Sequence, residues 1–320
     1  MKRGFQSFKV SGVLPTQAPR EPSRLETLKP LLSSPIAILD SGTGGLTVAR
    51  QIRRLLPDED LIYFGDTARL PYGNKSAATV IGFVRQIVQF LSNFQPKHVV
   101  IACNTATALA LPAMQAEFPD LSISGVIEPG AQAALEACDK PRPRIGVMAT
   151  SATVRSGAYD RAITAAQRNA RLVSQAAPLL APIIEDGRRD DDPLLRMALA
   201  HYMAPLLRRK LDVLVLGCTH YPIVQNAIRA AAGGKLTVID SADQCAQDVA
   251  RRLRTLERLR TQAPRDGQPR SGRMRCFVTD DPTRFAALAR EILGEPLGRP
   301  TFVPIGRMAA ADSSDTRKIA

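Results

Sequence analysis

From about residue 36 onward, short runs of apolar and β-branched residues alternate with longer stretches in which apolar positions recur with a helical period. The short runs predict strands over Ile36–Leu39, Leu61–Phe64, His98–Ala102, Ser122–Val126, Arg144–Met148, Arg171–Ser174, Val213–Leu216, Leu236–Ile239 and Arg275–Val278. The longer stretches, such as Leu46–Leu56, Ser76–Phe94 and Leu194–Arg209, predict amphipathic helices. Regular strand–helix alternation predicts parallel sheets covered by helices on both faces. Residues 1–34 lack any sustained periodicity and contain Pro15, Pro19, Pro22 and Pro30, so they read as a flexible basic tail.

The pattern also echoes itself. IAILDSGTGGLTV and IGVMATSATVRS are each a strand, a turn of small polar residues and a helix start; VVIACNT and VLVLGCTH are each a strand that ends in a small residue and a cysteine. Two similar doubly wound α/β domains, with the active site in the cleft between them, account for this. The expected division gives residues 35–127 and 238–300 to the first domain, 128–237 to the second and 301–320 to a C-terminal tail. In open α/β sheets ligands bind beyond the carboxyl ends of the strands, and all four echoed turns lie at such ends.

A length of 320 residues suits two domains of ordinary size, and 45% apolar with 23% charged residues suits a globular chain. No window approaches the roughly 18 consecutive apolar residues of a membrane span. The basic N-terminus lacks the apolar segment of a secretory signal, so the expectation is a cytoplasmic protein without membrane association. The cysteines are Cys103, Cys138, Cys218, Cys245 and Cys276. No pair has C-x-x-C spacing, which argues against a metal site and leaves free thiols as the expectation. Cys138, Cys245 and Cys276 read as small packing residues. The net charge of +13 is concentrated in residues 1–34 and 251–273. Such stretches can bind nucleic acid, but no aromatic residues interleave to stack on bases, and solvated helix faces are the simpler reading.

The candidate chemistry sits in the turns. DSGTGG aims Asp40 and Ser41 into the cleft; read as a dinucleotide fingerprint it fails at Thr47, although Asp66 closes the next strand as that reading would require. GDTARLPYGNKS places Pro71, Tyr72 and Gly73 in a turn whose backbone can hold a polar ligand. Cys103 and Cys218 stand at expected helix starts, where the helix dipole lowers a thiol pKa. Asn104 and Thr105 beside the first, and Thr219 and His220 beside the second, supply donors suited to a carboxylate. Glu185, in APIIEDG, is either solvated or a partner for His220. His98 and His201 read as surface or packing residues. Two opposed thiols could serve disulfide redox chemistry, a Cys–His nucleophile with a spare cysteine, or inversion at carbon. In the last, one thiolate removes the Cα proton and the other thiol returns one to the opposite face.

The set AILDSGTGGLTV, YFGDTARLPYGNKS, VIACNTATA, VIEPG, IGVMATSATVRSGAY, IIEDG and LGCTHYP, in this order from about Ile36 to Asp240, resembles the glutamate racemases of the aspartate/glutamate racemase family. The resemblance implies an isomerase that racemises L- and D-glutamate without a cofactor and supplies D-glutamate for peptidoglycan synthesis and cell-wall biogenesis. It often implies a homodimer. Cys103 and Cys218 correspond to the two catalytic acid/bases, Asp40 to the assistant of Cys103, and His220, with Glu185 behind it, to the assistant of Cys218. Substrate contacts would come from Asp40, Ser41, Pro71, Tyr72, Gly73, Asn104, Thr105, Thr150, Thr153, Thr219 and His220. Related aspartate racemases usually carry an acidic residue after the second Cys-Thr, where this chain has His220, which favours glutamate over aspartate or another amino acid. The family commonly has Gly-Thr where this chain has Ala149-Thr150. Some members bind DNA gyrase, a role the basic stretches would permit.

Overall fold

A computed structural model describes residues 32–234, 236–260 and 271–309. The two sheets are wholly parallel, and each takes its strands in the same relative order. The first is built from β1 (Ile36–Asp40), β2 (Leu61–Gly65), β3 (His98–Ile101), β4 (Ile123–Gly125), β9 (Met274–Val278) and β10 (Thr301–Phe302), ordered β10-β9-β2-β1-β3-β4. The second comprises β5 (Arg144–Ala149), β6 (Arg171–Ala176), β7 (Val213–Gly217) and β8 (Thr237–Asp240), ordered β6-β5-β7-β8. The segment β2-β1-β3-β4 thus matches β6-β5-β7-β8. The two halves of the sequence echo, DSGTGG with ATSAT and ACNT with GCTH, fall on equivalent strands.

Helices α1 (Leu46–Leu55), α2 (Ala77–Ser92), α3 (Asn104–Glu117) and α4 (Ile127–Glu136) follow the first four strands. They are succeeded by α5 (Ser151–Ser156), α6 (Ala158–Ala166), α7 (Leu180–Glu185), α8 (Pro193–Leu207), α9 (Gln225–Ala231), α10 (Ser241–Thr255), α11 (Pro282–Leu293) and α12 (Ile305–Ala309). Local chemistry sets several starts. Ser76 accepts a hydrogen bond from the Thr79 N–H ahead of α2. Asp192 accepts from Leu194 and Leu195 ahead of α8, where Pro193 takes the first helical position. Successive strand residues enter opposite cores: Ile36 and Ile38 pack with α1, α10 and α11, whereas Ala37 and Leu39 pack with α2 and α3. Burial on both faces is why these strands read as continuous apolar runs.

Each of the nine expected strands is present within two residues of its expected bounds, and β10 was not foreseen because two residues carry no period. Two expected boundaries move. Residues 238–240 belong to the second sheet, since β8 pairs with β7, and the chain returns to the first domain only at α10, whose Ala242, Cys245 and Val249 pack on the first core. The expected C-terminal tail is structured as far as residue 309: β10 pairs with β9, and Val303 and Met308 are buried against α2.

Of the basic stretch 251–273, Arg265 and Arg270 lie outside the described residues. Four other arginines are committed internally. Arg251 and Arg252 pair with Asp248, Arg258 donates to the Lys97 carbonyl, and Arg260 donates to Asp60 and to the carbonyls of Leu32, Ser33 and Asp58. Beside them Lys97, fully buried, pairs with Glu59 at 2.7 Å and donates to the carbonyls of Leu32 and Arg258. All but three of residues 1–34 lie outside the described residues. No described helix is long and apolar enough to cross a membrane.

Candidate active site

The carboxyl ends of β1 and β3 face those of β5 and β7. In each sheet these are the adjacent strands from which the chain winds in opposite directions, the position where such folds leave a crevice. One cavity at this junction is lined by Ser41, Pro71, Tyr72, Gly73, Cys103, Asn104 and Thr105 of the first domain and by Thr150, Glu185, Cys218, Thr219 and His220 of the second. Both cysteines therefore border the same space. Its volume is about 20 Å³, room for about one water molecule. The domains are closed on one another, and an amino acid enters only if they move apart. A larger recess of about 210 Å³ shares Glu185 with it and is bordered by Thr43, Asp281 and Arg284.

Asp40 and Thr153 sit behind the cavity wall. Asp40 is fully buried, accepts from the Gly42 N–H at 3.0 Å, and receives the Thr219 hydroxyl from the other domain at 3.4 Å. Burial raises its pKa, opposed by the charge of His220 and by the N–H groups of Gly45 and Gly42. Thr153 shares a hydroxyl cluster with Thr105 and Thr150, at 3.1 and 2.9 Å, which stitches α3 to the start of α5.

Cys103 takes the N-cap position of α3 without a side-chain capping bond, and the nearby Ala106 N–H and Ser41 hydroxyl favour its thiolate form. The expected fall in its pKa does not prevail. Burial, reinforced by the nearby Asp40 carboxylate, pushes the thiol up to about 12. Cys218 is followed not by a long helix but by a turn of 3-10 helix at Tyr221–Val224, and its sulfur lies 3.7 Å from His220 Nδ1. On the far side of the ring, Glu185 Oε1 is 2.8 Å from Nε2, an ion-pair distance, though the N–H is not aimed along it. Burial alone would lower the His220 pKa, but Glu185 and the Cys218 sulfur together raise it well above the ordinary value.

Tyr72 presents its ring to the cavity while its hydroxyl hydrogen-bonds to Asp66. Asp66 also accepts from Arg69 Nε at 2.7 Å and from Thr279 Oγ at 2.9 Å. This buried anchor holds the Pro71–Tyr72–Gly73 turn. It also removes the basis of the dinucleotide reading, because the carboxylate that would bind a ribose is occupied within the fold. Sequence reasoning missed this anchor. It missed Ala181 on the cavity wall as well, which carries no chemical signal. His98 is a buried packing residue whose ring nitrogens lie 2.8 Å from the hydroxyls of Ser122 and Ser124, and it does not line the cavity. Cys245 and Cys276 are buried in the first core, and Cys138 is half-buried at the edge of the second.

Known proteins share this architecture. The glutamate racemase of Geobacter metallireducens is 42% identical over 263 residues, covering 82% of this chain and 94% of that protein. The glutamate racemase of Chlorobaculum tepidum is 39% identical over 264 residues, with the same coverage of 82% and 94%. Among solved structures, a glutamate racemase isoform from Bacillus anthracis superposes with a TM-score of 0.78 at 35% identity, covering 85% of this chain and 98% of that one. The Francisella tularensis glutamate racemase, solved in complex with D-glutamate, gives 0.77 at 31% identity with the same coverage of 85% and 98%. Residues 44–249, which hold Cys103, Cys218 and nearly all of the cavity wall, match the family described as Asp/Glu/Hydantoin racemase. With two thiols bordering one closed interdomain cavity and relatives of this identity along most of its length, the chain belongs to the Asp/Glu/Hydantoin racemase family.

Proposed function

We propose that the protein is a glutamate racemase that inverts Cα with Cys103 and Cys218 as its two acid/bases and thereby supplies D-glutamate for peptidoglycan. The observation that carries this reading is that both thiols border one cavity, reached from opposite domains. One sulfur, as thiolate, takes the Cα proton. The electron pair is delocalised towards the α-carboxylate, and the other sulfur, as thiol, delivers its proton to the opposite face. The two sulfurs thus exchange protonation states in each turnover, and the reverse direction uses the same pair with roles swapped.

The difficulty is the weak acidity of a Cα–H beside a carboxylate, since each unit of pKa mismatch costs about 1.4 kcal/mol. The upward shift of Cys103 to about 12 narrows that gap from the base side. Closure strengthens it further, because excluding water magnifies fixed dipoles and charges. In this reading His220 holds a proton beside Cys218 and is itself charged through Glu185, while Ser41 serves Cys103. Asp40 acts on Cys103 through its charge and on the fold by pinning the turn that carries Ser41. Pro71, Tyr72, Gly73, Asn104, Thr105, Thr150, Thr153 and Thr219 bind and orient the amino acid. A cytoplasmic homodimer is part of the same proposal.

Incubating L-glutamate with the purified protein in D₂O, with no pyridoxal phosphate added, is expected to exchange the α-proton and bring the optical rotation to zero. Strict dependence on added pyridoxal phosphate would count against the reading. A substrate panel including aspartate separates it from a sister racemase: turnover of aspartate in preference to glutamate would overturn the glutamate assignment.

A further inference from the structure

Tyr159, on α6, belongs to the core of the second domain, where its ring is packed beneath Gly217 and Gly130. Its hydroxyl leaves that core and crosses the domain junction to donate to Asn104 Oδ1 at 2.7 Å. Asn104 is 2% exposed, directly follows Cys103 and borders the catalytic cavity. Its other amide atom, Nδ2, is buried and has no hydrogen-bond partner. A buried, unpartnered NH₂ group is costly unless something accepts from it. An amide also has two orientations of nearly equal shape that present opposite chemistry, so which end faces the cavity depends on its neighbours. Burial, with the charges of Asp240 and Cys218 adding to it, keeps the Tyr159 phenol well above its ordinary pKa, so the hydroxyl stays protonated and able to donate.

On the racemase reading above, we propose that Tyr159 is a positioning residue: its hydroxyl holds the Asn104 amide in the one orientation that turns Nδ2 towards a substrate carboxylate. The amide turned over would offer Oδ1, which repels a carboxylate. Because donor and acceptor belong to different domains, this orientation is imposed only when the cleft closes. Closure and carboxylate recognition are thereby coupled through a single hydrogen bond.

The test uses Tyr159→Phe, Asn104→Ala, Asn104→Asp and the double variant Tyr159→Phe/Asn104→Ala in the full chain. Readouts are calorimetric binding of L- and D-glutamate, racemisation kinetics and the thermal midpoint. A hydrogen bond to a charged group is worth enough that Tyr159→Phe is expected to raise KM and Kd about tenfold for both enantiomers. The change in kcat is expected to be less than about threefold and the thermal midpoint to stay near wild type, because an interaction lost from bound and transition states alike raises KM alone. Asn104→Asp, which places an acceptor on the cavity side whichever way it turns, is expected to weaken binding further. If Tyr159 acts through Asn104, the double variant matches Asn104→Ala to within about twofold. Wild-type KM in Tyr159→Phe, a fall in kcat alone, or additive losses in the double variant would each overturn the inference while leaving the racemase reading intact. A wild-type protein that neither bound nor racemised glutamate would overturn both.

Discussion

Gly73 and Thr150 meet across the domain junction so closely that a Cβ on Gly73 would stand 2.6 Å from the Thr150 Cβ. Both border the interdomain cavity. Gly73 is followed by the rest of a short 3-10 turn held from below by Asp66, so the turn cannot easily retreat. Gly73→Ala is therefore expected to prop the cleft open and lower kcat/KM at least about tenfold, because small misplacements at a reacting centre carry large rate costs. Adding Thr150→Ser removes the methyl that would stand 2.9 Å away but leaves the closer Cβ, so it is expected to restore only a small part of the loss. Steady-state kinetics on the two single variants and the double decide it.

Removal of either sulfur has a different signature. On the proposed mechanism Cys103→Ala and Cys218→Ala each delete one of two proton carriers, and general acid–base catalysis is typically worth about 10² to 10⁴-fold. Each variant is expected to lose racemisation by at least that factor while still binding glutamate. Measuring α-proton exchange in D₂O beside optical rotation checks both halves, and wild-type racemisation in either variant would end the two-base assignment.

His220 owes its raised pKa chiefly to Glu185 and then to Cys218, both working against burial. In Glu185→Gln the main raising influence is gone, so the imidazolium gives up its proton at lower pH. If His220 must be protonated for turnover, the alkaline limb of the kcat/KM profile shifts to lower pH in this variant. An unshifted limb would remove His220 from the proton path.

His98 gives a stability prediction of known sign. Burial lowers its pKa from 6.5 to about 4, so between those values the unfolded chain binds a proton that the folded chain refuses. Stability then falls as pH falls from 6.5 towards 4, by about 1.4 kcal/mol per unit from this group alone. Urea titrations at pH 7 and pH 5 are expected to show a smaller acid penalty in His98→Asn than in wild type.

Beneath the first sheet, the buried Lys97–Glu59 pair ties Leu32, Asp60 and Arg260 into one network. Lys97→Met leaves the Glu59 carboxylate buried beside fewer donors and is expected to cost about 3–5 kcal/mol, with the double change Lys97→Met/Glu59→Leu recovering part of it. Chemical denaturation measures the two directly.

Much of this architecture was legible in the chain. Parallel strands buried on both faces must be apolar on both, so runs such as Ile36–Leu39 and Val213–Leu216 announce themselves, and helix caps such as Ser76 and Asp192 are local chemistry. The turns after β1, β3, β5 and β7 could be recognised as a related set because a strand end with small polar residues is itself a local pattern. Tyr159, Asp66 and Thr279 could not be assigned, since each acts on a partner 55, 6 and 213 residues away through a side chain whose direction no periodicity records.

The sequence by itself determined the alternation of strands and helices, the two-domain echo and the residue types at the strand ends, because each follows from neighbours within a few positions. Only the tertiary structure decided that the Cys103 thiol is shifted upward rather than downward, that Tyr72 spends its hydroxyl on Asp66, and that β8 and β10 belong where they do. Burial, charge proximity and strand pairing depend on what the rest of the chain brings alongside, and that is a property of the folded whole.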